Sequence, residues 1–275
     1  MIEQVLDNAQ RSTEGRPPIV VLLVDDQQFV GTVVGQLLAS ESDIELHCCL
    51  EAVDAVAKAN QVGPGIILQD LVMPKIDGLK LVALFRANAM TAGTPIVVLS
   101  ANDDVETRGR ALAAGATAYL VKLPSKADLV ACIRLHAAGK EPRSGASTFE
   151  AETTPPDGEE TLDGSVLEQF RELDPAFAQR LIDQFLLEAE SRVHTLRGAA
   201  ERHDPSALST VAHALKGSAM TMGVRRLAAL CGQIEAQVAA NPSVVMTPAL
   251  MTTIDQELVR VRLALATDRR GGEAR

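Results

Sequence analysis

The sequence predicts two domains of different class in one chain of 275 residues: a doubly wound α/β domain with a parallel five-stranded sheet, then an all-α antiparallel helical bundle. Three observations predict it. Short apolar, β-branched runs alternate with helix-length segments up to about residue 138. Beyond residue 165 only a 3.6-residue periodicity survives. Between them, residues 141–164 carry seven acidic side chains and one basic, with Pro142, Pro155 and Pro156 and a single aromatic, Phe149. Such a stretch buries too little apolar surface to order itself and reads as a flexible acidic linker. The expected organisation is an N-terminal extension over 1–17, a first domain over 18–140, the linker 141–164, the bundle over 165–268 and a disordered tail over 269–275.

In the first domain, Ile19-Val20-Val21-Leu22-Leu23-Val24 is the run expected of a strand covered on both faces. Comparable runs recur at Ile44–Cys49, where the signal is weaker, and at Gly65–Gln69, Pro95–Ser100 and Ala118–Val121. Helical spacing fills roughly 28–40, 51–60, 78–87, 104–114 and 125–138. In such a sheet, chemistry collects at the carboxyl ends of the strands. Asp25 and Asp26 end the first strand, Asp70 the third, Ser100 the fourth and Lys122 the fifth. A lone acidic pair after a strand serves equally well to cap a helix, and Asp103-Asp104 is read that way. Three carboxylates, a hydroxyl and a lysine on one sheet edge are a different matter. Crowded carboxylates repel unless a hard cation joins them, and oxygen ligands suit Mg²⁺. The set is equipped to stabilise a phosphoryl group moving onto a carboxylate.

Leu23-Val24-Asp25-Asp26, Leu68-Gln69-Asp70-Leu71-Val72-Met73-Pro74 with Asp77-Gly78, Val98-Leu99-Ser100-Ala101 and Tyr119-Leu120-Val121-Lys122 resemble the receiver domain of two-component response regulators, a flavodoxin-like fold. The resemblance implies Asp70 as phosphoacceptor and Asp25, Asp26, Asp70 and the Val72 backbone carbonyl as Mg²⁺ ligands. It also implies Ser100 and Lys122 as phosphate contacts, and Tyr119 with Ser100 as the switch pair that responds to activation. The chain departs from the family in having Leu123 between this lysine and Pro124, which puts the expected cis peptide in question. A metal-dependent phosphatase is the enzymatic rival. Such enzymes place a proton-transferring Asp two residues past the nucleophile, where this chain has Val72, so slow turnover is expected. Neither a Walker-type loop nor a kinase signature occurs in the sequence, which favours a phosphotransfer signalling protein over an enzyme.

The second domain reads as five helices. A short one near 165–172 stops before Asp174-Pro175, and a long amphipathic one (Phe177, Leu181, Phe185, Ala189, Val193, Leu196) ends near His203. A third opens at Asp204-Pro205, Gly223 separates a fourth, and a fifth runs from Pro248 to about Thr267. His194-Thr195-Leu196-Arg197-Gly198 and His213-Ala214-Leu215-Lys216-Gly217 repeat one pattern. His213 lies about 150° from the centre of its helix's apolar stripe, which predicts an exposed imidazole beside Lys216. His194 has the same geometry, so the wheel alone does not choose. Ala212-His213-Ala214-Leu215-Lys216-Gly217-Ser218-Ala219, followed by Gly223, Leu227, Cys231 and Ile234-Glu235, resembles the histidine-containing phosphotransfer (HPt) domain. That resemblance implies His213 as phosphocarrier, Lys216 assisting it and Gly217 giving clearance. His194 lacks the continuation. His47, His136 and His203 are read as packing or capping residues.

Together these readings describe a phosphorelay intermediate whose partners are a sensor histidine kinase and other receiver or HPt proteins. A coil of the linker's length spans roughly 25–30 Å, which permits exchange within the chain. The alternative is a binding module whose receiver, switched by phosphorylation, gates interactions of the helical domain. The net charge of −10 with one Tyr and no Trp speaks against nucleic acid. No apolar run reaches the ~18 residues of a membrane span, no secretion signal opens the chain, and four scattered cysteines suit a reducing cytoplasm. A receiver-mediated homodimer is compatible with the resemblance.

Overall fold

The computed structural model describes residues 17–73, 75–100, 105–122, 124–137, 161–241 and 248–272. The N-terminal extension to residue 16, most of the linker, Asn102 with Asp103-Asp104, the Leu123 side of the Leu123-Pro124 bond and the last three residues of the tail lie outside them. The chain divides into two compact units, Met1–Glu141 and Pro142–Arg275.

The first unit alternates strand and helix: β1 (Ile19–Val24), α1 (Gln28–Leu38), β2 (Ile44–Cys49), α2 (Ala55–Val62), β3 (Ile66–Asp70), α3 (Gly78–Ala87), β4 (Ile96–Ser100), α4 (Val105–Ala113), β5 (Ala118–Val121) and α5 (Lys126–Ala137). The five strands form one parallel sheet in the order β2-β1-β3-β4-β5. β3 and β4 are buried throughout, as their apolar runs over 66–68 and 96–99 require. Both begin one residue later than the sequence suggests. Gly65 and Pro95 each contribute one ladder bond without joining a strand: Gly65 N–H donates to the Val20 carbonyl and the Pro95 carbonyl accepts from Ile67.

The strands' side chains sort onto two faces. Leu22, Val24, Ile67, Val98 and their neighbours pack with Ala55, Ala59, Leu81, Val82, Phe85 and Ala111 from α2, α3 and α4. Leu23 and Leu68 point the other way, toward the side of α1 and α5, which touch each other. All four cysteines are free. Cys49, Cys132 and Cys231 are buried, whereas Cys48 is exposed, because it lies on edge strand β2 with its side chain opposite in sense to that of Cys49.

The second unit is helical: α6 (Gly164–Leu173), α7 (Pro175–Glu201), α8 (Pro205–Thr221), α9 (Arg225–Ala240) and α10 (Pro248–Gly272). Asp163, Asp174 and Asp204 cap α6, α7 and α8, each accepting from a backbone N–H of the first turn, and Pro follows in the latter two. The ordered unit thus reaches back into the segment read as linker. Asp163 also donates its N–H to the Gly223 carbonyl at 2.9 Å and pairs with Arg225. Gly223, at φ 71°, is the one residue type that fits there, because a Cβ would meet the Asp163 carbonyl at 2.9 Å. The stripe of α7 from Phe177 to Leu196 is buried as expected. The backbone of α10 continues to Gly272, past the expected end near Thr267; the apolar stripe stops first and the helix runs on to the Gly271-Gly272 pair. No helix among the described residues is long and apolar enough to cross a membrane.

Candidate functional site

In the first unit the strand ends converge. One ligand atom from each of Asp25, Asp26 and Asp70 falls within 4.8 Å of the others. Asp25 and Asp70 are each 2% exposed. One oxygen of each is held by the adjacent backbone: Asp25 Oδ1 accepts from Gln27 N–H at 2.9 Å and Asp70 Oδ1 from Leu71 N–H at 2.7 Å. The other oxygens face Lys122, whose buried Nζ lies 2.6 Å from Asp25 Oδ2 and 2.8 Å from Asp70 Oδ2. Both are short, charge-assisted contacts, and neither Oδ2 meets a second donor among the described residues.

Burial pushes the Asp25 carboxyl up to about 6; the Lys122 charge opposes this and the Asp70 charge adds to it. Burial alone would depress Lys122, but the charges of Asp70 and Asp25 outweigh it and hold the ammonium above its ordinary value. Three carboxylates against one ammonium leave a formal charge of −2, the deficit a divalent ion removes. Hard carboxylate oxygens converging with that deficit fit Mg²⁺.

The loop after β3 is tightly made. Gly78 N–H donates to the Leu71 carbonyl at 3.0 Å, and Val72 bridges Asp77 in antiparallel fashion. Gln69 Nε2 donates to the Gly78 carbonyl at 2.7 Å from a fully buried position. A Cβ at residue 78 would stand 2.6 Å from Leu71 Cα and 2.7 Å from its carbonyl carbon, so this turn admits glycine alone. Val72 is exposed on the loop, two residues beyond Asp70. Ser100 ends β4, 6% exposed, and its carbonyl accepts from Lys122 N–H at 2.8 Å. Tyr119, on β5, is half-buried against the α2-α3-α4 side, with the Arg108 guanidinium 5.5 Å from its ring centroid.

The second unit presents His213 on α8, and here the structure corrects the sequence. The imidazole is shielded, its side chain only 13% exposed. The cause is Glu235 on α9, which a wheel of α8 alone does not show. Glu235 Oε1 lies 2.6 Å from His213 Nδ1, and Oε2 accepts from Lys216 Nζ at 3.1 Å. Burial raises the Glu235 carboxyl, but the hydrogen bond from His213 and the charges of His213 and Lys216 outweigh it, leaving it below the ordinary value. An ionised Glu235 accepts only, so in the neutral form of His213 the proton sits on Nδ1 and Nε2 keeps the lone pair. Gly217 is buried one turn on. Gly232 of α9 leaves room for Lys216, whose Cε would be 3.9 Å from a Cβ there. Glu235 is the contact residue of this site that the sequence named only as part of a motif. The signal was an acid on the next helix, visible once α8 and α9 are packed.

The remaining histidines sit elsewhere. His194 is exposed on α7, and His47 Nε2 pairs with Glu45 at 2.9 Å. His136 is depressed by burial near the end of α5, and His203 occupies a left-handed turn at φ 52°.

A family model of the response regulator receiver domain matches residues 21–134, and one of the Hpt domain matches residues 180–264. The chemotaxis protein CheY of Treponema pallidum is 36% identical over 107 residues, 38% of this chain and 73% of that protein. Protein PilG of Pseudomonas aeruginosa is 29% identical over 42% of this chain and 85% of its own length. The transcriptional regulatory protein TrcR of Mycobacterium tuberculosis is 35% identical over 159 residues, 58% of this chain, and the match spans 59% of that relative. The chain belongs to the two-component response regulators and joins a receiver domain to an Hpt domain. Those two domains are the ones that two-component phosphorelay signalling uses.

Proposed function

We propose that this chain is a two-component phosphorelay intermediate with two covalent stations, Asp70 and His213. The observation that carries the reading is the pairing of a buried Asp25-Asp26-Asp70-Lys122 cluster with a histidine whose Nδ1 is held by a carboxylate, in a single chain. Asp70 Oδ2 attacks the phosphorus of a phosphohistidine on a sensor kinase. The new O–P bond forms as the P–N bond breaks, and the imidazole leaves with the electron pair of that bond. Lys122 and Ser100 offset charge developing on the transferred oxygens, and Leu71 N–H fixes the carboxylate. Asp25, Asp26, Asp70 and the Val72 carbonyl would hold Mg²⁺, which supplies charge neutralisation when bound.

His213 Nε2 then exchanges the group with a receiver aspartate: the N–P bond forms as the aspartyl O–P bond breaks and the carboxylate leaves with its electron pair, or the reverse. Glu235 stabilises the cation that forms on the ring, and Lys216 sits within reach of the incoming oxygens. The partner aspartate belongs to this chain's receiver or to that of another protein. Val72, at the position where phosphatases place a proton-transferring acid, makes hydrolysis slow, which suits a relay. The test is transfer of labelled phosphate from a cognate kinase to the full chain and its Asp70→Ala and His213→Ala variants. Each variant should lose one label, acid-stable for the aspartate and base-stable for the histidine. A wild-type label profile in either variant removes that residue from the scheme. Wild-type chain that labels at Asp70 alone, with every receiver and HPt protein tried, supports the switched binding module instead.

A further inference from the structure

Gln27 follows Asp25 and Asp26 and caps α1. Its backbone is engaged, with the N–H donating to Asp25 Oδ1 at 2.9 Å and the carbonyl accepting from Val30 at 3.0 Å. Its side chain is not. It makes no capping bond, it is 2% exposed, and neither Nε2 nor Oε1 has a hydrogen-bond partner among the described residues. A sealed primary amide leaves two donor hydrogens and an acceptor unmet, a state natural interiors avoid. An apolar side chain of the same size would cost nothing of the kind.

Helical register and strand alternation together locate the amide. Gln27 stands three residues before Val30 and seven before Val34, both fully buried, so it heads the inward stripe of α1. That stripe lies on the side of the sheet toward which Leu23 and Leu68 point, with α1 against β2 and α5 against β1 and β3. Two residues further along each strand, the same face continues to Asp25 and Asp70. The idle amide is thus set at the end of the stripe nearest the carboxylates.

We infer that Gln27 is a phosphoryl contact: its Nε2 donates to an oxygen of the phosphoryl group on Asp70, a bond made only once that group has arrived. The inference rests on the reading of Asp70 as phosphoacceptor. It adds a neutral donor to the charged Lys122, and it takes no part in bond making. Its energetic effect is differential. The unphosphorylated state carries an orphaned amide and the phosphorylated state does not, so Gln27 shifts the equilibrium toward phosphorylation from both ends.

The experiment uses the full chain with Mg²⁺ and beryllofluoride, a tetrahedral phosphoryl mimic, and reads the receiver's melting transition and the apparent affinity for the mimic. Gln27→Leu should melt about 4 °C higher than wild type without the mimic, because the orphan is gone. Its affinity for the mimic should fall about tenfold, the loss of one hydrogen bond to a charged group. Gln27→Met, which keeps the chain length, repeats the comparison if the leucine variant does not fold. Wild-type affinity in the variant overturns the inference. So does a lowered baseline with a matching loss of affinity, since an amide with a merely structural role would give that. Asp70→Asn should lose the response entirely; if it responds, the phosphoacceptor reading falls, whatever Gln27 does.

Discussion

The two acceptor sites solve opposite problems. The receiver concentrates like charge: three carboxylates crowd one sheet rim, two of them almost wholly buried, with one ammonium between them. The helical site holds a single imidazole and shares one carboxylate between it and a lysine, with all three partly exposed. Among the described residues, a cluster able to hold a metal occurs only on the receiver. On the proposed reading the receiver drives transfer, at a cost in stability, and the helical unit holds and presents the group. Chemistry that is costly to bury is confined to one partner of each exchange.

Breaking the receiver's turn should have the largest effect. Gly78→Ala pushes a Cβ into the Leu71 backbone, and relief requires moving the residue next to Asp70. A loss of about 3 kcal/mol or more is expected in denaturant unfolding of the receiver, with phosphorylation of Asp70 lost alongside. The helical unit is probed at a different kind of residue. There the sensitive residue is Glu235. Glu235→Gln keeps the size but no longer requires the proton on Nδ1, and transfer through His213 should slow about tenfold while the melting of the bundle changes little. Equal rates for variant and wild type would reduce Glu235 to a lid.

The smallest effect separates the units by pH. Asp25 is raised to about 6 from 3.8, so the folded receiver binds a proton that the unfolded chain has released; stability falls as pH rises through roughly 4 to 6. Going from pH 7 to 5 should stabilise the metal-free receiver by about 1 kcal/mol, a gain absent in Asp25→Asn. Glu235 has the opposite sign. Its lowered value contributes stability above the ordinary glutamate range, and acid removes that contribution as the group protonates. The pH slopes of melting that Asp25→Asn and Glu235→Gln each remove should be of opposite sense. Parallel slopes would dissolve the contrast drawn above.

Much of this was legible in the sequence because strand ends are addressable. A β-branched run fixes where a strand stops, and Asp25, Asp70, Ser100 and Lys122 are the residues at which β1, β3, β4 and β5 give way to loop. Caps were legible for the same local reason, as at Asp174-Pro175 and Asp204-Pro205. The shielding of His213 was not, because a helical wheel measures one helix against its own stripe and Glu235 arrives from another, 22 residues on. Gln27 was equally silent. A glutamine at a helix start is unremarked in sequence, and its isolation appears only when the sheet closes over it. The end of α10 was missed because apolar periodicity reports where packing stops, and the backbone continues past that point to Gly272.

At the opposite end of the sheet from the carboxylates, Arg86 near the end of α3 ties down the loops that precede β4 and β5. Its Nε donates to the Gly115 carbonyl at 2.8 Å, one terminal nitrogen reaches the Thr94 carbonyl at 2.6 Å, and the other reaches Thr117 Oγ1 at 3.2 Å. Thr117 Oγ1 in turn accepts from Ile96 N–H at 3.0 Å. A single guanidinium thereby rivets the floor of the receiver, where the polypeptide enters its last two strands. Whatever displacement follows modification at the opposite rim has no give beneath it, and must spend itself outward, along the surface that other molecules can read.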